Sequence, residues 1–177
     1  MMIVPEDKDW TWVLQRACTD CGFDAPAFDH ARTGDTLRWM GERWAGVLAR
    51  PDVAVRPNAS TWSALEYACH VRDVFRIFDR RLERMLTEDD PLFANWDQDA
   101  TAVEERYGEQ DPAAVAAELV AAVAAVAARF DGVHGDGWDR VGRRSDSKNF
   151  TVDTFARYFV HDPLHHLHDV GDEAKRP

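Results

Sequence analysis

Between positions 161 and 168 the chain reads HDPLHHLH, four histidines in eight residues, while only His30, His70 and His134 occur elsewhere. Imidazole binds metals and carries protons near neutral pH, so this density asks which rings can reach a common point. A purification tag would be terminal and contiguous. This cluster is internal and interleaved with Val160, Leu164, Leu167 and Val170, as in a folded amphipathic segment.

Helical phase sorts the candidates. At about 100° per residue, Phe155, Phe159, Pro163 and Val170 fall within about 60° of Val152, which predicts one continuous helix over roughly 152–170 with that stripe toward the core. His166 lies inside the stripe and Asp162 near its edge, about 80° from Val152, so the two form an i, i+4 pair on the core side. A carboxylate and an imidazole one turn apart can direct lone pairs to one point between them. His161, His165 and His168 share a face roughly opposite the stripe and are expected to face solvent. A register using His161 and His165 as a His-xxx-His pair fits by eye but fails this phase test. An Asp-Pro step can also start a new helix, with Asp162 as cap and Pro163 at N1, but the unbroken apolar stripe favours one helix through the proline.

A third ligand has to come from another element. His70, within EYACHVRDV, sits at the edge of a second apolar arc near Val74 and Ile77. A lone edge histidine is ordinarily structural; His70 gains weight only from being paired with Asp162 and His166.

Four segments with helical period would position these groups, and none shows a convincing strand alternation, so the expected class is all-α. The first, roughly 34–49, carries Leu37, Met40, Trp44 and Val47 and stops at Pro51. The second, roughly 61–86, is expected to be capped by Ser60 and to bury Leu65, Ala68, Val71, Phe75, Phe78, Leu82 and Met85. The third opens with Asp111 as N-cap and Pro112 at the first helical position and runs through Val115, Leu119, Val123, Val126 and Phe130. Its alanines permit close helix approach. The Gly-rich stretch DGVHGDGWD precedes the fourth, and residues 87–110 form a long connection with a short helix near 99–107. Four such helices predict a four-helix bundle, whose metal sites are commonly built from facing helices. Residues 1–33, with Trp10, Trp12 and the stretch CTDCGFD, are expected to pack on it as an irregular arm, giving one domain over 1–177.

The second and fourth helices together resemble the DinB-like, or YfiT-like, superfamily of metal-binding four-helix bundles, which includes mycothiol-dependent maleylpyruvate isomerase and bacterial thiol S-transferases. The resemblance spans roughly residues 35–170. It rests on a histidine in the second helix, matched by His70 in EYACHVRD, and on a His-xxx-His or acid-xxx-His pair in the last. Aligned without a gap, the first ligand position of that pair falls on Asp162 and the second on His166. The isomerase branch has an acidic residue where this chain has Asp162. The resemblance implies a divalent metal on His70, Asp162 and His166 with positions open to water, substrate or thiolate. Zinc or nickel is the expected ion, and two histidines with a carboxylate would also suit iron(II).

What the resemblance implies for function is a metal-dependent thiol S-transferase or isomerase. The metal would lower the pKa of a low-molecular-weight thiol such as mycothiol, which attacks a small-molecule electrophile. A metal-assisted hydrolase activating water is the second reading. A non-catalytic metal-binding, stress-related bundle is the third. A water-accessible concave pocket would favour an enzyme, and a closed site a structural role.

Other groups bear on these readings. Cys18 and Cys21 form a C-x-x-C that can supply two ligands of a structural zinc or a redox pair. No second C-x-x-C or C-x-x-H follows, and two reduced thiols in a packed arm remain the plain alternative. Cys69 points about 100° away from His70 and reads as a small packing residue. His30 and His134 lie in loop-like stretches and are expected to be solvated. Arg140, Arg143 and Arg144 could meet carboxylates of a thiol cofactor or substrate.

Composition bounds the rest. A hydrophobic fraction of 45% with seven tryptophans in 177 residues argues for a globular core rather than disorder. A formal charge of -11 repels a phosphate backbone and disfavours nucleic acid as partner. No apolar run is read as approaching the roughly 20 residues that span a bilayer, and MMIVPEDKDW lacks a signal-type pattern, so no membrane is expected. The three cysteines, too few for a disulfide framework, agree with a cytoplasmic setting. The sequence leaves open whether the bundle forms a homodimer through an apolar edge.

Overall fold

In the computed structural model, which describes residues 9–172, five α-helices occur among the described residues: α1 (Thr33–Leu48), α2 (Ala64–Thr87), α3 (Gln98–Glu104), α4 (Pro112–Asp131) and α5 (Val152–Asp169). The four long ones form the expected bundle, in which α1 and α2 each pack against α4 and α5. α1 packs closely on α4 at Gly41, where a Cβ would lie 3.1 Å from a methyl of Val123. Of the α4 alanines, only Ala122 and Ala127 are buried.

Local chemistry explains the helix starts. Asp111 accepts a hydrogen bond from the Ala114 amide ahead of Pro112, as the sequence predicts. The start of α2 differs from expectation. Its cap is Ser63 rather than Ser60, because Ser63 and Glu66 close a reciprocal capping box while Ser60 is engaged in a turn on Asn58. Arg56 then clamps Glu66 in a two-point ion pair, Nε to Oε2 at 2.8 Å. The partly buried Glu66 carboxyl would be pushed up by desolvation, but Arg56 and Ser63 outweigh this and hold it below its ordinary value.

α5 runs unbroken through Pro163, so the two-helix alternative is set aside. Phe155 and Phe159 from its apolar stripe stack on Phe78 of α2 at 4.7 and 4.6 Å between ring centroids. The indole of Trp44 donates to the Pro163 carbonyl at 3.2 Å, tying α1 to α5 at the proline.

Two features depart from expectation. Residues flanking the bundle form a small sheet, β1 (Leu92–Phe93), β2 (Val141–Arg144) and β3 (Asn149–Thr151), with β1 parallel to β2 and β2 antiparallel to β3. These strands are too short to show period-2 alternation in sequence. The sheet leads directly into α5, since Thr151 at the end of β3 is its N-cap. α4 is also long and apolar enough, by length and composition, to cross a membrane, which corrects the expectation that no apolar run approaches that size. Here it buries Val115, Leu119, Val123, Val126 and Phe130 against α1 and α2.

Residues 9–32 form the expected irregular arm, with 3₁₀ turns at Trp10–Leu14 and His30–Arg32; residues 1–8 of that arm lie outside the described residues. Val13, Cys18, Phe23 and Ala25 are buried. Arg157 of α5 holds the arm by donating to the carbonyls of Ala25 and Pro26 at 2.8 and 3.0 Å and to that of Phe28.

Candidate metal centre

His70, Asp162 and His166 come together where α2 faces α5, each offering a donor atom within 4.8 Å of the others. His70 Nε2 lies 3.5 Å and His166 Nε2 3.9 Å from the same oxygen, Oδ1 of Asp162. The two imidazoles stand edge to face, 5.0 Å apart at 84°. His70 is fully buried, which the helical wheel placed only at an edge. The covering comes from outside its helix: Trp96 stacks on the ring at 5.2 Å and Trp62 lies 5.6 Å away.

The fit to a metal ion can be tested on polar satisfaction. Buried polar atoms are nearly always hydrogen-bonded. Yet among the described residues neither ring nitrogen of His70 nor Oδ1 of Asp162 has a hydrogen-bond partner. The 3.5 Å His70–Asp162 approach is an ion-pair distance without hydrogen-bond alignment. Burial acts to raise the Asp162 carboxyl, but His70, then His166 and His161, overcome it and lower the pKa to about 2. Asp162 is thus ionised and acceptor-only, as a ligand must be. Nitrogen and carboxylate donors of this number suit a divalent ion such as zinc, nickel or iron(II).

A residue whose part the sequence did not reveal completes the geometry. Asp169 Oδ2 sits 2.8 Å from His166 Nδ1, which fixes the ring and leaves Nε2 facing the centre. Its other oxygen lies 3.8 Å from His165 Nε2. In sequence Asp169 stands beside His166 at i, i+3 spacing, but nothing there shows that it bonds the ring.

The expectation that His161, His165 and His168 face solvent holds only for His168. His161 and His165 are 3% and 9% exposed because the arm covers that face of α5. Trp10 lies over both rings at 5.4 and 4.9 Å, and Cys18 Sγ approaches His165 Nδ1 at 3.6 Å. A helical wheel describes one helix against one core and carries no information on a second layer. Burial lowers the pKa of His165, favouring its neutral form.

Asp162 and His166 open onto a cleft of ≈ 490 Å³, which Trp96, Arg81 and Arg144 border together with Trp10, His161 and His165 from the arm side. Of the three arginines singled out from sequence, Arg144 reaches the cleft, paired with Asp146 at 2.8 Å. Arg140 turns to the carbonyls of Met85 and Glu88, and Arg143 to Asp90. Arg81 went unnoticed in the sequence. It is buried, donates to the Ala94 carbonyl at 2.8 Å, lies over Phe93, and forms no ion pair among the described residues. Burial pulls its pKa down to about 10, with Arg144 adding to the effect, so it remains a cation.

Two other sequence readings are resolved. Cys69 is the packing residue expected, its thiol pushed up to about 12 by burial. His30 is not simply solvated: Nδ1 lies 2.8 Å from Asp153 and the ring packs on Trp138.

Comparison with known proteins agrees with this architecture. The model of the DinB superfamily matches residues 20–170, and the chain belongs to that superfamily. Among solved structures it is similar to YfiT from Bacillus subtilis, described as a probable metal-dependent hydrolase with an unusual four-helix bundle topology. That match has a TM-score of 0.66 at 14% identity and covers 94% of this chain and 89% of the other. At that identity the likeness shows the fold. No curated protein matches the chain significantly.

Proposed function

We propose that this DinB-superfamily chain is a metal-dependent enzyme in which His70, Asp162 and His166 hold a divalent ion at the floor of the cleft. The observation that carries the reading is the three convergent donors, with the buried ring nitrogens of His70 and Oδ1 of Asp162 unsatisfied among the described residues, beneath a concave opening wide enough for a small molecule. When bound, the ion would act as a Lewis acid and lower the pKa of a nucleophile entering from the cleft.

The chain's own residues define the remaining roles. Asp169 holds the His166 ring in one orientation. Trp96 and Trp62 keep water from His70. Arg81, a desolvated cation without a paired carboxylate among the described residues, is placed to receive an anionic group beside the Arg144–Asp146 pair, so the substrate class is a small carboxylate-bearing electrophile. The nucleophile we favour is a low-molecular-weight thiol, as in the S-transferase and isomerase members that the sequence resembles. Hydrolysis is the second reading, favoured by the description of YfiT. The setting we infer is cytoplasmic.

Metal content by elemental analysis, with activity on carboxylate-bearing electrophiles with and without added thiol, tests this. His70→Ala, Asp162→Ala and His166→Ala should each lose metal and activity together, while His168→Ala keeps both. Turnover indifferent to thiol would replace transfer by hydrolysis, and full metal occupancy in His166→Ala would remove the proposed ligand set.

A further inference from the structure

A second donor cluster lies on the neighbouring face of α5, beneath the arm. Cys18, Cys21, His161 and His165 each offer a donor atom, and the four atoms lie within 4.8 Å of one another. Cys18, His161 and His165 are buried and Cys21 is half-buried. All three cysteines of the chain are free thiols.

The local structure is that of a chelating turn against a chelating helix. Cys18 and Cys21 occupy a tight loop closed by Gly22 N–H to Cys18 O and Cys18 N–H to Phe23 O, both 2.8 Å. Gly22 takes φ +70°, a conformation that a side chain would strain, and it lets the chain reverse directly after the second thiol. His161 and His165 are one helical turn apart, so both rings project from the same side of α5. Cys18 Sγ is 3.6 Å from His165 Nδ1, which turns the other ring nitrogen to Asp169 Oδ1 at 3.8 Å. A ligand histidine with its outer nitrogen on a carboxylate is the usual support of a zinc site.

We propose that Cys18, Cys21, His161 and His165 form a second, structural metal site for a zinc ion that staples the N-terminal arm to α5. Two thiolates and two imidazoles are the donor set that selects zinc in tetrahedral geometry. Bonds of about 2.0–2.3 Å place such donors about 3.3–3.8 Å apart, so closing the cluster needs a contraction of roughly one ångström from the observed separations. Binding converts both thiols to thiolates and releases their two protons to water. Trp10, His161 and His165 also border the cleft, but four protein ligands would fill a tetrahedral shell and leave no coordination position for substrate, whereas three donors leave one open.

The energetic reason lies in the arm itself. Over residues 9–32 it has only short 3₁₀ turns and no strand ladder to hold it, so its ordering entropy must be offset by contacts with α5. The Arg157 hydrogen bonds and the packing of Trp10 supply part of this, and the Cys18 contact with the His165 ring adds only a weak bond. Metal binding that requires the folded arm adds directly to its stability.

Elemental analysis after zinc loading and desalting distinguishes this site from the catalytic one. Wild type should retain two equivalents, Cys18→Ser/Cys21→Ser one, and His70→Ala one, so that each variant reports on a different site. Cobalt loading of the unmodified protein avoids reliance on a foldable variant: two thiolate ligands give an intense sulfur-to-cobalt charge-transfer band. Zinc should also protect two thiols from a disulfide reagent. Absence of that band, no zinc protection of the thiols, or an unchanged metal count in the double serine variant would overturn the proposal. Rapid formation of a Cys18–Cys21 disulfide in zinc-loaded protein would do so in favour of a redox pair.

Discussion

One helix serves two donor clusters that border the same cleft but differ in donor number and donor type. On the α2 side, Asp162 and His166 meet His70 in a set of three that opens onto a cleft with Arg81 and Arg144. On the arm side, His161 and His165 meet Cys18 and Cys21 in a set of four under Trp10. Both pairs have the same i, i+4 spacing, offset by one residue, so they point about 100° apart. What assigns each pair is the element that faces it: a regular helix with one buried histidine, or a loop with two thiols. Three hard or borderline donors with an open side suit chemistry, and four donors including thiolates suit anchoring. Asp169 lies between the two, bonded to His166 through one oxygen at 2.8 Å and 3.8 Å from His165 with the other.

The contrast is broken most severely at His70. Its replacement by alanine removes the only donor that α2 brings to the centre among the described residues and leaves the charged Asp162 facing an empty buried space. Metal occupancy of the three-donor centre should fall below detection, with activity lost by three orders of magnitude or more (roughly 4 kcal/mol or more of transition-state stabilisation), while the cysteine-dependent equivalent stays. Elemental analysis with and without thiol blocking reads both. Asp169→Asn is the next largest, because an amide still fills the space but no longer draws both imidazoles with a charge. Metal affinity at the cleft should weaken by about 10–100-fold. The effect on the arm site should be smaller, since 3.8 Å is a looser contact than 2.8 Å. Competition with a chromophoric chelator resolves the two affinities.

Much of this architecture is readable from the chain. The α5 stripe of Val152, Phe155, Phe159 and Pro163 placed Asp162 and His166 on the bundle side, and the i, i+4 rule paired them. The same wheel misplaced His161 and His165, since periodicity registers one apolar face and cannot see that an irregular arm 140 or so positions earlier returns to cover another. Cys18 and Cys21 were visible as a spacing but lacked partners within reach in sequence. Those partners are 140 or more positions away, joined only by tertiary folding. Arg81 escaped notice for a related reason. It sits in the helical pattern of α2 as an ordinary charged residue, and only the position of Ala94 and Phe93 shows it to be a desolvated cation.

Acid titration sharpens the difference in ligand type. Because Asp162 is held at about 2 rather than 3.8, its ionised form stabilises the apo protein fully above the ordinary carboxyl range, and that contribution disappears as pH falls from 3.8 through about 2. Urea denaturation of apo protein across that window should show a steeper loss for wild type than for Asp162→Asn. Equal slopes would mean that the histidines do not hold the carboxylate.

Arg81→Gln should act on substrate rather than on either metal site. The glutamine can keep a hydrogen bond to the Ala94 carbonyl but not the charge. We expect KM for a carboxylate-bearing substrate to rise about tenfold, equivalent to ~1.4 kcal/mol. Both metal equivalents should be unchanged, and a neutral ester of the same substrate should show little difference between variant and wild type.

The smallest effect should come from His168, and it tests the assignment of faces most directly. This histidine belongs to the same dense cluster, shares the wheel face of His161 and His165, and would be a ligand if histidine density alone made the site. It is exposed, however, and in neither donor group. The arm covers the helix at positions 161 and 165, while position 168 lies beside the free end of α5, two residues before Val170 caps it. His168→Ala should therefore leave both metal equivalents, the cobalt spectrum and activity unaltered, and change stability by no more than about 0.5 kcal/mol. A lost equivalent in this variant would mean that the arm reaches one helical turn further along α5 than its contacts with Trp10 and Cys18 indicate.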